Sequence, residues 1–261
     1  MEITEFIEKT LSESGELVKA SFGDIVPSQK KIEKSQIVTA VDVASERLII
    51  ERIIREYSRS GIIAEESGFI QSKNQSYFIV DPIDGTSNFA NAIPWFGIMI
   101  AYIVDNQLEC AGIYLPMTDE MYIAQKDKGA TKNGSQIPKP KDVMLSDSLV
   151  SFCFSSEHEN SSREAACITN LSPKVLNLRT TNSAYDYAYA AEGKLAATIN
   201  FRNKIWDIAS VTLIANEIGC FVSDTYGKPI SFDITEEGYM ANYTLLVSNP
   251  SVKDELLGVL S

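Results

Sequence analysis

The nine residues Asp81-Pro82-Ile83-Asp84-Gly85-Thr86-Ser87-Asn88-Phe89 constrain this chain more than any other stretch. The run before them, Tyr77-Phe78-Ile79-Val80, is apolar, aromatic and β-branched, the pattern of a short buried strand. Such a strand delivers Asp81 to its C-terminal end. Pro82 has no backbone N–H to offer a neighbouring strand, so pairing is expected to stop there and the chain to turn. Asp84 follows three positions after Asp81, and Gly85 permits a close approach of backbone. Two carboxylates and backbone carbonyls in one turn suit a hard cation such as Mg2+. The amides of Gly85 and Thr86 face an anion if a helix or turn begins at this point.

The rest of the chain has to supply the frame. Its 261 residues suffice for one large domain or two modest ones. Ile3, Phe6, Ile7, Leu11 and Val18 fall at helical spacing and predict an amphipathic helix over 2–21. A second helix is predicted over 42–57, with Ile50, Ile53, Ile54 and Tyr57 on one face and Thr39 or Asp42 as N-cap. Ile62-Ile63-Ala64 reads as a strand ending in Glu65-Glu66-Ser67. After the central turn, strands over 95–104, 108–115 and 121–124 form an antiparallel meander turning at Asp105-Asn106. The stretch 126–141, rich in Lys, Gly and Pro, predicts a long loop toward a boundary. Beyond it, strand-like 149–154, 175–178, 195–199 and 220–222 alternate with helix-like 157–169, 183–192 and 206–218. That alternation predicts an α/β second half with a mixed or parallel sheet. The expected division is an α+β portion over 1–145 and an α/β portion over 146–261 that completes the site.

Charge and motif content narrow the function. With 23 basic and 35 acidic residues the net charge is −12, which argues against a general nucleic-acid or anionic-membrane binder. An acidic surface also repels phosphate, so local cations are needed to hold one. Cys110, Cys153, Cys167 and Cys220 are scattered beside apolar residues, without CxxC or zinc spacing, and read as buried free thiols. Met1-Glu2-Ile3-Thr4-Glu5 lacks a signal-peptide pattern and no apolar run reaches membrane-span length, so a cytoplasmic location is expected. The single histidine, His158, lies in Ser155-Ser156-Glu157-His158-Glu159 and not in an RHG motif, which leaves a phosphohistidine mechanism unsupported. No cysteine begins a Cys-x5-Arg loop, the Asp81/Asp84 spacing is not DxD, and no GxxxxGK[ST] loop is present.

The central stretch, with Ala64-Glu65-Glu66-Ser67 upstream and Trp206-Asp207-Ile208-Ala209-Ser210 downstream, resembles the three ordered motifs of the inositol monophosphatase family over nearly the whole chain. The resemblance implies a layered αβαβα sandwich of the inositol monophosphatase/fructose-1,6-bisphosphatase type, commonly a homodimer. It also implies Mg2+-dependent, lithium-sensitive hydrolysis of a small phosphate monoester such as inositol 1-phosphate. Two or three Mg2+ per site are expected by that likeness. Glu65, Asp81 and the Ile83 carbonyl would hold the first, and Asp81, Asp84 and Asp207 the second. Thr86 with Glu65 would orient and deprotonate the attacking water, so Glu65, Asp84 and Thr86 are the catalytic candidates. Gly85, Thr86, Ser183, Ala184, Asn200 and Arg202 are the substrate-binding candidates.

Four features of the sequence bear on the substrate and, for Gln36, on an additional metal. Asn182 stands where many relatives carry Gly, and Gln36 where many carry Asp. Asn200 stands where inositol-specific relatives tend to carry Glu. The segment Asn200-Phe201-Arg202-Asn203-Lys204 is similar to archaeal members that also act on fructose 1,6-bisphosphate. A fructose-1,6-bisphosphatase, a dual enzyme or a histidinol-phosphatase are the enzyme alternatives, and a regulatory module that retains the fold is the non-enzyme one. Asp207 also reads as a helix cap and Trp206 as core packing.

Overall fold

The computed structural model describes residues 1–23, 28–30, 37–154 and 161–260. Gln36 and His158 lie outside the described residues, as does the predicted start of the helix over 157–169. In chain order the helices are α1 (Ile3–Ala20), α2 (Ala40–Glu56), α3 (Thr86–Ala90), α4 (Ser161–Leu171), α5 (Ala184–Glu192), α6 (Ile205–Ile218), α7 (Glu236–Tyr239) and α8 (Lys253–Leu260). A short ribbon pairs β1 (Ser28–Lys30) with β2 (Ile37–Thr39).

The larger sheet contains β3 (Gly61–Ala64), β4 (Gly68–Ile70), β5 (Ser76–Asp84), β6 (Gly97–Val104), β7 (Gln107–Leu115), β8 (Glu120–Gln125), β9 (Gly129–Lys132) and β10 (Ser135–Gln136). Its order is β10-β9-β8-β7-β6-β5-β3-β4, antiparallel except for the parallel pair β3 and β5. The smaller sheet contains β11 (Leu149–Cys153), β12 (Asn177–Arg179), β13 (Ala197–Asn203), β14 (Phe221–Ser223) and β15 (Tyr243–Ser248). Its order is β12-β11-β13-β15-β14, with β12, β11 and β13 parallel and β15 antiparallel to both its neighbours.

Strand side chains alternate between faces, so Ile62, Phe78, Val80, Ile98 and Ile100 point one way and Ile63, Ile79, Met99 and Ala101 the other. The first set packs against Phe6, Ile7 and Leu11 of α1 and Ile49 and Ile53 of α2. The second set meets Ala188 of α5 and Ile208, Val211 and Ile214 of α6, which continue to Leu245 and Val247 of the smaller sheet. Val150, Phe152, Ile199 and Leu246 on its far face meet Cys167 and Leu171 of α4 and Leu256 and Leu260 of α8. The layers therefore run α, β, α, β, α, as expected. With a sheet on either side, α6 is apolar almost all round, as a helix buried on every face must be. All four cysteines are buried and free, and no described helix is long and apolar enough to cross a membrane.

Three sequence expectations need correction. Pairing of β5 with β6 does not stop at Pro82: it resumes at Asp84 opposite Gly97 after a register shift past Asp81, so a bulge absorbs the proline. The stretch 126–141 is not one loop, because β9 and β10 form an edge hairpin through Asn133-Gly134. Both turn residues have positive φ (47° and 74°), the requirement of a tight two-residue hairpin. The inward face of α2 carries Asp42, Ser45 and Glu46 beside Val41, Ile49 and Ile53, whereas Ile54 is 55% exposed. Polar groups turn inward here because they bond to the loops beneath them.

Candidate active site

The site is built where β3, β5 and α6 end or begin. The β5 bulge brings Asp81 and Asp84 to one side, and Asp207 comes from the third position of α6. Carboxylate oxygens of Asp81, Asp84 and Asp207 all lie within 4.8 Å of one another. Asp81 is buried, and its Oδ1 accepts from the Ile83 amide at 3.1 Å. Asp207 Oδ2 accepts from the Lys204 amide at 2.6 Å, so it caps the helix from within and not as the N-cap residue. Asp84 Oδ2 is buried with no hydrogen-bond partner among the described residues. Burial, then the charges of Glu65, Asp84 and Asp207, push the Asp81 carboxyl well above the usual carboxylate range. Burial, then Asp207 and Glu65, do the same to Asp84.

Like charges crowded beside an unpartnered acceptor make a poor resting arrangement and a good cation seat. The donors are all oxygen, which matches Mg2+ and not a soft metal. The residues present therefore fit the expected ion. The Ile83 carbonyl, the backbone ligand candidate, accepts from Thr86 Oγ1 at 2.9 Å.

Glu65 stands beside the three-carboxylate group and not within it, near enough for its charge to raise both Asp81 and Asp84. Its backbone is held on several sides. The Glu65 amide donates to the Val80 carbonyl at 3.3 Å, tying the turn to β5. The Glu66 amide and the Ser67 hydroxyl donate to the buried Glu46 carboxylate, the first at 2.8 Å. The Glu65 carbonyl accepts from Tyr239 Oη at 3.2 Å.

Helix α2 supports this acidic spot from one face. Asp42, Ser45 and Glu46 sit at i, i+3 and i+4 and so project together. Asp42 Oδ1 accepts from Thr86 Oγ1 at 2.8 Å, while its Oδ2 accepts from the Thr39 amide at 2.9 Å and from the Thr39 hydroxyl. Ser45 Oγ donates to the Pro82 carbonyl at 3.0 Å and lies 2.7 Å from Ser14 Oγ of α1. Burial raises the Asp42 carboxyl above its ordinary value, against the opposing hydrogen bonds from Thr39 and Thr86. Thr86 thus has Asp42 as its side-chain partner; the resemblance implies that it acts with Glu65 on the attacking water. Sequence reasoning passed over Asp42 and Glu46 as site residues. Two acids one turn apart on the inward face of a helix were the available signal.

The opposite wall is made of helix starts. Gly85 precedes α3 with φ +98°, and a Cβ there would lie 2.8 Å from both Ser183 Cβ and the Trp95 carbonyl. Only glycine fits that contact. Ser183 precedes α5, with its Oγ 2.8 Å from Thr181 Oγ1. Asp186 accepts from the Thr181 and Asn182 amides at 2.9 and 2.7 Å, and Asn182 takes φ +54°, the region that glycine favours. Gly85, Thr86, Ser183 and Ala184 are therefore brought together. Asn200 is differently engaged: its Nδ2 donates to Tyr187 Oη at 2.9 Å and its Oδ1 accepts from the Arg202 amide at 3.0 Å. Both ends of that amide shape an irregularity in β13, where the register shifts between Asn200 and Asn203. Trp206 packs in the core, as expected.

A five-layer αβαβα sandwich with an all-oxygen acidic cluster facing paired helix starts defines a class of fold and site. The chain belongs to the inositol monophosphatase family, which its residues 1–260 match. Nus factor SuhB of Escherichia coli K12 is 30% identical over 240 residues, 90% of this chain and 85% of that protein. The fructose-1,6-bisphosphatase/inositol-1-monophosphatase of Thermotoga maritima is 28% identical over 262 residues, 100% of this chain and 96% of the other. Among solved structures, a Thermotoga maritima IMPase matches with a TM-score of 0.88 at 27% identity, covering 100% of this chain and 97% of that one.

Proposed function

We propose that the protein is a Mg2+-dependent phosphatase of small phosphate monoesters, inositol 1-phosphate or a related sugar phosphate. The observation that supports this best is the gathering of Asp81, Asp84 and Asp207 within 4.8 Å, with Asp84 Oδ2 left without a partner among the described residues. In this reading these three carboxylates, Glu65 and the Ile83 carbonyl hold the ions. Mg2+ supplies the positive charge that offsets the phosphate dianion and acidifies water. The residues of the chain do the rest. Asp42 accepts the Thr86 hydroxyl proton as a hydrogen bond, which leaves lone pairs of Thr86 Oγ1 to orient a water. The amides at the starts of α3 and α5 face the phosphate oxygens, and Gly85 lets the two starts approach. Glu65, Asp84 and Thr86 remain the catalytic assignments, with Asp42 added behind Thr86.

For the substrate, Asn200 is committed to Tyr187 and its own loop, so it offers a ring hydroxyl less than a free Glu would. Arg202 lies beside it on the same irregular strand and would serve a second phosphate, which favours a sugar bisphosphate among the substrates. The likeness to proteins named Nus factor favours a second reading, a regulatory protein that keeps the fold. Phosphate release from inositol 1-phosphate and fructose 1,6-bisphosphate with Mg2+, with chelator and with Li+ separates the two readings. Chelator-sensitive turnover lost in Asp207→Asn supports the enzyme. A folded protein that releases no phosphate from a broad panel of monoesters sinks it.

A further inference from the structure

The Glu65 turn belongs to the larger sheet, whereas Asp207 belongs to the helix between the sheets, and a third element joins them. Helix α7 is one turn long, capped by Thr235 Oγ1, which accepts from the Gly238 amide at 3.0 Å. Gly238 is pressed so closely onto Asp233 that an added Cβ would lie 2.0 Å from its carbonyl oxygen. That fixes the turn on its own stem. From it Tyr239 reaches the Glu65 carbonyl, 174 residues away in sequence, at 3.2 Å. The same ring lies against Trp206, the residue before Asp207, with centroids 5.1 Å apart and planes at 40°. Lys204 Nζ, from the residue preceding α6, donates to the Met240 carbonyl at 2.8 Å. One short segment therefore touches Glu65 on one side and both neighbours of the α6 start on the other.

We propose that Tyr239 is a positioning residue which fixes the Glu65 turn against the start of α6 and so sets the affinity of the acidic site for divalent cations. The inference rests on the metal-site reading above. Its physical basis is that Glu65 is not among the three carboxylates gathered within 4.8 Å, so where its turn is held bears on how its carboxylate meets a cation they share. Glu46 holds the turn from the α2 side only. The Tyr239 hydroxyl supplies the counterpart from the α6 side, and its ring carries that restraint to Trp206. Partners behind the ligands of a metal commonly control how tightly it binds.

The test is calorimetric titration of the full chain with Mn2+ and Mg2+, on the unaltered protein, Tyr239→Phe and Tyr239→Leu, with thermal melts of each in chelator. Tyr239→Phe keeps the ring against Trp206 and removes the hydroxyl that bonds to the Glu65 carbonyl. It is expected to bind the cations about 3- to 10-fold more weakly, with a smaller loss of stability in chelator. Tyr239→Leu is expected to lose more, because the stacking goes as well. Unchanged affinity in Tyr239→Phe overturns the proposal and leaves the metal-site reading standing. Weaker binding matched by an equal loss of stability in chelator also overturns it, since the role is then structural. Absence of cation binding in the unaltered protein removes both readings together.

Discussion

Replacing Asp84 by Asn should make the protein more stable in chelator and cancel its stabilisation by Mg2+. The carboxylates of Asp81, Asp84 and Asp207 lie within 4.8 Å, so each ionised pair repels by about 3 kcal/mol at an effective dielectric of about 20. Protonation sets a ceiling: holding one such carboxyl neutral at pH 7 costs about 4 kcal/mol relative to its ordinary ionisation near 3.9. Asn preserves shape and presents an amide N–H where Asp84 Oδ2 now has no partner. A net gain of about 2–3 kcal/mol is expected, which for a chain of this size is a rise of about 5–10 °C in melting temperature. Added Mg2+ should raise the melting temperature of the unaltered protein and leave the Asn variant close to its chelated value. Scanning calorimetry of both proteins at pH 7, with chelator and then with excess Mg2+, reads each quantity. An Asn variant that melts below the unaltered protein in chelator would refute the electrostatic reasoning, because the cluster would then be held by bonds and not strained by charge.

Three further outcomes are expected. Thr86→Ala should lower kcat on the preferred monoester about 100-fold or more, with the Mg2+ dependence unmoved, because it deletes the hydroxyl bonded to Asp42 and no proposed ligand atom. Gly85→Ala should lower the urea midpoint by an amount equivalent to about 2 kcal/mol, from its φ of +98° and the contact with Ser183 and the Trp95 carbonyl. Lys132→Met should cost about 1–3 kcal/mol at pH 7, since Lys132 bridges Glu120 at 2.6 Å and Glu192 at 2.8 Å. Burial works against both glutamates, but the bonds from Lys132, with others from Lys194 and Tyr122, hold their carboxyls below the usual range. Carboxyls depressed in the folded state stabilise it above their unfolded value of about 4.3 and stop doing so as pH falls through the folded value. The cost of Lys132→Met in urea titrations should therefore be full at neutral pH and shrink as acid is added below pH 4.3 or so.

The layers were legible because periodicity encodes them. Tyr77-Phe78-Ile79-Val80 is buried on both faces and α6 on all sides, and runs of that kind leave no other placement. Asp81, Asp84 and Asp207 could be named because their motifs carry them. What could not be read depends on contacts without a local pattern. The Asp42 bond to Thr86 spans 44 residues and the Tyr239 bond to Glu65 spans 174, and no local pattern ties Asp42 or Tyr239 to its motif partner. The β9–β10 hairpin has no sequence pattern because β9 is four residues long and β10 is a two-residue polar edge strand, so composition points to a loop although Asn133-Gly134 signals a turn. The commitment of Asn200 to Tyr187 follows from an irregular strand, which side-chain alternation alone does not foretell.

Helix α6 is both the filling between the two sheets and the carrier of Asp207. A ribosome translating this message completes β10 long before it reaches Ile205. Until then the larger sheet presents Ile63, Ile79, Met99 and Ala101 on a face that only α5, of the helices that cover it, has been made to meet. Apolar surface left open in that interval favours aggregation, and a chain cut short before α6 would keep it open. Arrival of the same helix closes the apolar face and sets the last carboxylate of the cluster, so proofreading for completeness and assembly of the site are one event.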